Sequence, residues 1–118
     1  MLEEDGMENS ETKIVGNLLK LKALSDEIRL NIINLLSTEP LCACDILDSF
    51  KITQPTLSYH MKLLTESGLV SSERDGKWTY YSLDKEGLSD LLDYLNLLST
   101  SRNVTLVKST EKCGNRRC

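Results

Sequence analysis

The chain has 118 residues, which is enough for one compact domain with short tails and too few for two ordinary domains. Its residues are 40% hydrophobic and 27% charged, as in soluble globular proteins, and no apolar run approaches the roughly 20 residues that span a bilayer. The formal net charge of −4 argues mildly against a nucleic-acid partner. However, residues 1–11 alone carry five acids and no base, so net charge is a poor guide here.

The two ends of the chain differ from its middle. Residues 1–12 are acidic, polar and without periodicity, which predicts a disordered extension and not a secretory signal. We therefore expect a cytoplasmic protein whose four cysteines stay reduced and serve as ligands or sensors. Residues 100–118 are polar, rich in basic residues and contain two of the cysteines, which predicts a flexible tail. Residues 13–99 are expected to form the folded domain.

Three helices are predicted in the first half of the chain. Apolar residues recur at helical spacing from Ile14, and again in a second segment that ends near residues 37–40. Ser25 is followed by two acids and is therefore the predicted N-cap of the second helix. Pro40 suits the entry to a short third helix, with Ile46 on its buried side.

A fourth helix is predicted to start at Thr53 and to end at Gly68. Its core stripe is expected to comprise Leu57, Met61 and Leu64, which lie at i, i+4 and i+7. The period then changes, and residues 69–83 read LVSSERDGKWTYYSL. This pattern predicts two strands around an Asp-Gly turn.

A leucine-rich helix is predicted beyond Asp84, with one dense apolar face. The order of elements is typical of a winged helix-turn-helix, a mainly α fold with a small β-hairpin. The first and last helices are unusually apolar for so small a domain, so we expect the protein to be dimeric through these two helices. In the hairpin, alternation places Trp78 and Tyr80 on one face and Tyr81 on the other.

The chain resembles the ArsR/SmtB family of metal- and metalloid-responsive transcriptional repressors. Four stretches carry the resemblance: ALSDEIRLNIINLL, LCACDIL, TQPTLSYHMKLLTESGLV and RDGKWTYYSL. It is closest to the arsenic-sensing branch, in which a Cys-x-Cys-Asp run begins the short third helix. The resemblance implies a homodimer that binds a palindromic operator in double-stranded DNA and leaves it when metal binds.

DNA contacts are predicted on the outer face of the fourth helix and at the tip of the hairpin. Side chains on the helix that can bond base edges and phosphates in a major groove are Gln54, Thr56, Ser58, Tyr59 and Lys62. Arg74 and Lys77 are expected to touch the flanking backbone or the minor groove. The only histidine, His60, falls on the inner side of this helix and is interpreted as a packed, hydrogen-bonded residue.

Cys42 and Cys44 are the predicted inducer ligands. Residues two apart on a regular helix are separated by about 200°, so the two thiolates could hold one ion only if the stretch is extended or the helix opens. We therefore expect binding to distort the start of the third helix and to shift the recognition helix. A position near a helix N-terminus is also expected to lower the pKa of these cysteines. Soft thiolates suit As(III), Sb(III), Cd(II) or Pb(II).

Two thiolates leave a trivalent arsenic centre short of one ligand. Arsenic-sensing relatives often have a further cysteine where this chain has Leu47. Cys113 and Cys118 could supply the missing ligand, and four thiolates in total would suit a tetrahedral Cd, Pb or Zn ion. Alternatively, two thiolates alone would satisfy a monosubstituted organoarsenical. The family's zinc site needs histidines on the last helix, which here offers Asp90 and Asp93 but no histidine.

The sequence thus predicts a repressor that is released from its operator when As(III) or Sb(III) binds cysteine thiolates. The alternatives are a Cd(II), Pb(II) or Zn(II) sensor or a redox sensor of the same fold. A thiol–disulfide enzyme or metallochaperone is disfavoured, because Cys-x-Cys is not the Cys-x-x-Cys motif and no βαβ pattern surrounds it. No constellation of base and nucleophile is evident. We therefore expect neither enzymatic activity nor an organic cofactor, and no membrane partner.

Overall fold

A computed structural model describes residues 10–100, with side chains described from Ile14 onward. Within this range the elements are α1 Ser10–Leu24, α2 Glu27–Leu36, β1 Leu41–Cys42, α3 Ala43–Asp48, α4 Gln54–Ser67, β2 Val70–Asp75, β3 Trp78–Leu83 and α5 Lys85–Ser99. This order confirms the predicted winged helix-turn-helix. In the described range no helix combines the length and apolar character needed to cross a membrane. Residues 1–9 of the predicted disordered N-terminus and residues 101–118 of the predicted tail lie outside the described residues. The prediction was wrong for residues 10–12, which form the start of α1.

The junction between α1 and α2 differs by one residue from the prediction. Asp26, not Ser25, is the N-cap of α2, and its carboxylate accepts a hydrogen bond of 3.1 Å from the backbone N–H of Arg29. This bond lowers the pKa of Asp26. Ser25 instead donates its hydroxyl to the carbonyl of Lys22, 3.0 Å away at the end of α1. Because Ser and Asp are about equally good N-caps, their order in the sequence does not decide which one turns toward the helix.

The recognition helix α4 follows its prediction closely. The Thr53 hydroxyl accepts from the Thr56 N–H, and Gly68 ends the helix with a φ of 90°. Leu57, Met61 and Leu64 are buried, as their spacing predicts. They join a core contributed by α2, α3 and the start of β2. The outer face of α4 is thereby fixed toward solvent.

A short strand that the sequence reading missed precedes α3. Pro40 leads into β1, not into a helix, and β1 pairs antiparallel with β3, so the sheet order is β1-β3-β2. In the hairpin, Asp75 pairs with Trp78 and leaves a two-residue loop that begins with Gly76 at a φ of 66°. Positive φ at the first loop position is the reason that glycine suits this turn. The turn therefore lies one residue further along than the Asp-Gly pair suggests.

The hairpin and the outer helices leave apolar side chains in solvent. Tyr81 packs against the core, whereas Trp78 and Tyr80 are 49% and 40% exposed, which confirms the predicted alternation. On α1 and α5 the large apolar residues that remain exposed are Ile14, Val15, Leu18, Leu19, Leu21, Leu92, Leu95, Leu97 and Leu98. Monomeric soluble proteins rarely expose a contiguous apolar patch of this kind.

Candidate metal centre and nucleic-acid interface

The two cysteines of the Cys-x-Cys motif lie side by side. Cys42 has the extended backbone of a strand end, with φ −81° and ψ 161°, and it is the N-cap of α3, while Cys44 lies in the first turn. The two Sγ atoms are 2.7 Å apart. The angular separation expected on a regular helix therefore does not apply, because only one of the two residues is helical. The expected opening of α3 is not needed to bring the thiols together.

The two sulfurs are carried by different elements of the fold. Cys42 is held in β1, opposite Tyr80 of β3, and Cys44 is carried by α3. An ion held by both sulfurs would therefore tie the start of α3 to the central strand of the sheet.

The pKa of Cys44 differs from the prediction. The pKa of Cys44 is raised, chiefly by its hydrogen bond with Cys42 and also by desolvation and by the charge of Asp45. The backbone N–H of Asp45 acts in the opposite direction, but it is the weaker influence. The expected lowering of the pKa by the helix N-terminus was therefore wrong for Cys44, because α3 has only 6 residues and the neighbouring thiol dominates. Cys44 is a protonated thiol at neutral pH.

A carboxylate completes a group of three potential ligands. Ligand atoms of Cys42, Cys44 and Asp45 all lie within 4.8 Å of one another. The predicted further ligands, Cys113 and Cys118, lie outside the described residues. Asp45 was not among the predicted ligands, although it directly follows the second cysteine. The signal was available, since a carboxylate next to a thiolate in the first turn of a helix can turn toward the same ion.

The predicted DNA-contacting residues are exposed, and three of them, Gln54, Ser58 and Lys77, line one cleft between α4 and the hairpin. Gln54, Thr56, Ser58, Tyr59 and Lys62 on α4 are all exposed, as are Arg74 and Lys77 in the hairpin. Tyr59 is 58% exposed, a large fraction for an aromatic side chain, and its ring lies 5.5 Å from that of the buried His60 between centroids. Lys62 forms an ion pair of 3.4 Å with Glu66. Exposed pairs of this kind are weak, so Lys62 stays available to a phosphate.

A buried polar network fixes α4 to the α1–α2 junction. Arg29 donates from Nε to the carbonyl of Ala23 at 2.7 Å and from Nη1 to Nδ1 of His60 at 2.9 Å. Because a guanidinium group only donates, Nδ1 of His60 accepts and the ring carries its proton on Nε2. His60 is 7% exposed, which confirms its interpretation as a packed, hydrogen-bonded histidine.

Comparison with known proteins agrees with this architecture. A family model described as "Bacterial regulatory protein, arsR family" matches residues 26–72. An arsenical resistance operon repressor from Staphylococcus aureus is 44% identical over 77% of this chain and 88% of its own length. A cadmium resistance transcriptional regulatory protein CadC homolog, also from Staphylococcus aureus, is 40% identical over 61% of this chain and 60% of its own length.

A solved structure shares the fold. The homodimeric winged helix-turn-helix DNA-binding domain of a possible ArsR-family regulator from Mycobacterium bovis has a TM-score of 0.58 and 24% identity. The match covers 74% of this chain and 78% of the other. The family model and these relatives identify the chain as a DNA-binding transcriptional regulator, not an enzyme. The chain belongs to the arsR family of bacterial regulatory proteins, and its relatives include the arsenical resistance repressors of that family.

Proposed function

We propose that this protein is a cytoplasmic, homodimeric repressor that leaves its operator when As(III) or Sb(III) binds the thiols of Cys42 and Cys44. The observation that carries the proposal is the 2.7 Å separation of the two Sγ atoms at the junction of β1 and α3. Two soft donors already face one another there, and trivalent arsenic and antimony prefer such donors.

The position of the pair explains how binding would reach the DNA. Cys42 is paired with Tyr80 in the strand that also builds the wing, and α3 is followed after a short turn by α4. An ion held by both sulfurs would therefore act on β3, which is part of the wing, and on α3, which leads into the recognition helix. Both elements must match the spacing of one DNA site. A coupling of about 1–3 kcal/mol, or roughly 5- to 150-fold in affinity, is typical of such linkage.

Dimerisation supplies the second half of the DNA interface. The exposed leucines of α1 and α5 form the apolar surface that a second copy would bury. A two-fold dimer presents two α4 helices to two half-sites, which accounts for binding to a palindrome. Operator contacts are assigned to the exposed face of α4, from Gln54 to Lys62, and to Arg74 and Lys77 of the wing.

The test is operator release measured by fluorescence anisotropy. The DNA is a fragment selected from a random pool by the untreated protein, and arsenite or antimonite is then titrated. Cys44→Ser should bind the fragment with unchanged affinity but no longer release it, since Cys44 is exposed and its replacement leaves the core intact. The paired substitution of Cys113→Ser with Cys118→Ser tests the tail. A normal arsenite response of Cys44→Ser would refute the site.

A second candidate is a sensor of Cd(II), Pb(II) or Zn(II). It is favoured by the carboxylate of Asp45 beside the two sulfurs, because a carboxylate suits these cations, and by the similarity to the cadmium-resistance regulator. In this case Asp45→Asn should weaken the response to cadmium by about 10- to 100-fold, with little change in the response to arsenite. Release of the operator by arsenite but by none of these three cations, in the unmodified protein, would reject this alternative.

A further inference from the structure

A cavity lies between α1, α2 and α4, apart from the cysteine pair and from the cleft between α4 and the hairpin. Its volume is about 310 Å³, which is within the range of small-molecule sites. The apolar part of its wall is formed by Leu19, Ala23 and Leu63. None of its lining residues belongs to the thiol site or to the residues assigned to DNA contact. A ligand held here would therefore differ from those proposed above.

The cavity is lined by a buried arginine whose charge is not paired. Arg29 is 9% exposed, and its Nε and Nη1 donate to the carbonyl of Ala23 and to His60. Among the side chains that the structure describes, Nη2 has no hydrogen-bond partner and no carboxylate forms an ion pair with the guanidinium. Asp26 instead accepts from the backbone N–H of Arg29. Because a buried charge is costly unless it is paired, the site favours an anion.

The remaining polar groups of the lining are compatible with an anion. Lys22 is exposed at the rim and adds a second positive charge. Glu66 carries the opposite charge, but it is 60% exposed and its carboxylate lies 3.4 Å from the ammonium of Lys62. The hydroxyl of Ser67 already makes two hydrogen bonds to the backbone of its own segment. Arg29 is therefore the group that determines which ligand the cavity accepts.

We propose that this cavity binds a small organic carboxylate, with its carboxylate on the guanidinium of Arg29 and its apolar part against Leu19, Ala23 and Leu63. A guanidinium matches the planar geometry of a carboxylate better than any other side chain does. An inorganic anion would neutralise the charge but would leave the apolar wall without a partner. The proposal does not depend on the proposed function, since the cavity shares no residue with the cysteine pair.

The competing occupant is a second copy of the chain. Leu19 belongs to the exposed apolar surface of α1 that dimerisation is proposed to cover, so the rim of the cavity lies near that surface. Apolar side chains of a second copy would fill the wall, but they would leave the charge of Arg29 unpaired. The burial of this charge therefore favours the acid.

The experiment titrates the isotope-labelled full chain with benzoate and follows the backbone amide signals by NMR. Benzoate should shift the signals of residues 19–23 and 63–67 and leave those of residues 42–45 unchanged. It should bind at least about tenfold more tightly than benzamide, its uncharged counterpart, since a hydrogen bond to a charged partner is worth that much. Acetate has the charge without the ring and should also bind at least about tenfold more weakly than benzoate.

Two pairs of variants test the wall and the rim. Leu63→Trp fills the cavity from α4 and should weaken benzoate binding at least about tenfold, whereas Leu30→Trp, on the exposed face of α2, should change it by less than about twofold. Lys22→Gln should weaken benzoate binding by about two- to fivefold. Lys20→Gln is its matched control, because Lys20 is on the same helix but does not line the cavity.

Equal affinities for benzoate and benzamide, or shifts confined to other residues, would overturn the site. Equal weakening by Lys22→Gln and Lys20→Gln would also overturn it, since overall charge would then explain the effect. If benzoate does not bind and Leu63→Trp weakens dimerisation, the second copy is the occupant and the proposal is wrong.

Discussion

The protonated state of Cys44 predicts a difference in pH dependence between metalloid and metal-ion binding. Arsenous acid is neutral and takes up two thiols with loss of two waters, so it exchanges no net proton with the solvent. A divalent cation must displace the thiol proton instead. Because the pKa of Cys44 lies above its ordinary value of 9.0, this thiol is protonated throughout the neutral range. The apparent affinity for a divalent cation should therefore increase with pH.

The magnitude follows from the number of protons released. Each displaced proton makes the affinity rise about tenfold per pH unit. From about pH 6 to about pH 8, Cys44 alone should thus strengthen cadmium binding about 100-fold. Arsenite binding should change by less than about threefold over the same range. The sign follows from a thiol that is protonated across this range, since a thiol that is already ionised would release no proton and give no slope. The raised pKa of Cys44 keeps it protonated to a higher pH than its ordinary value of 9.0 would.

The assay is a titration followed by thiolate-to-metal charge-transfer absorption, repeated at each pH at constant ionic strength. The Cys44→Ser variant is the control. Its cadmium affinity should increase with pH less steeply than that of the unmodified protein, by about a factor of ten for each pH unit. A cadmium affinity independent of pH, or an arsenite affinity as steep as that of cadmium, would refute a protonated Cys44 in the resting site.

Three further predictions concern the scaffold. Arg29→Met should lower the free energy of unfolding, measured in urea, by about 2–4 kcal/mol, because it leaves two buried acceptors unpaired. Arg74→Met, in the exposed hairpin, is the control and should change this free energy by less than about 0.5 kcal/mol. Gly87→Ala should destabilise the protein, seen as a lower Tm at fixed concentration, because a Cβ there would overlap the carbonyl oxygen that ends α4; an unchanged Tm would contradict this packing. Leu92→Asp should weaken dimerisation at least about tenfold in analytical ultracentrifugation, while Leu30→Asp, equally placed in solvent but on α2, should not.

The confirmed parts of the sequence reading rest on local patterns. The buried stripe of α4 follows from helical periodicity, and the cap at Thr53 and the glycine at residue 68 follow from local hydrogen bonding and backbone conformation. The alternation of Trp78 and Tyr81 follows from strand geometry in the same way. Such features depend on neighbours within a few residues, so the sequence contains what is needed to predict them.

The missed features depend on contacts between distant segments. β1 consists of two residues and exists because Leu41 and Cys42 pair with a strand almost 40 residues further along. This pairing extends the backbone of Cys42 and brings its thiol to Cys44, which helical spacing alone would have kept apart. The raised pKa of Cys44 follows from the same contact. The overlooked strand thus decides between the two geometries that the sequence left open, an extended stretch or an opened helix, and it accounts for the error in the pKa of Cys44.

The short distance between the two sulfurs also bears on how the protein would compete with other thiols of the cell. An arsenic atom held through one sulfur meets the second at an effective concentration far above the roughly millimolar values typical of short flexible linkers. A monothiol such as glutathione must instead supply two independent molecules to replace the pair. If arsenic is the ligand, as proposed, the strand end that places Cys42 beside Cys44 would make this site a chelate that takes arsenic from an excess of simple thiols.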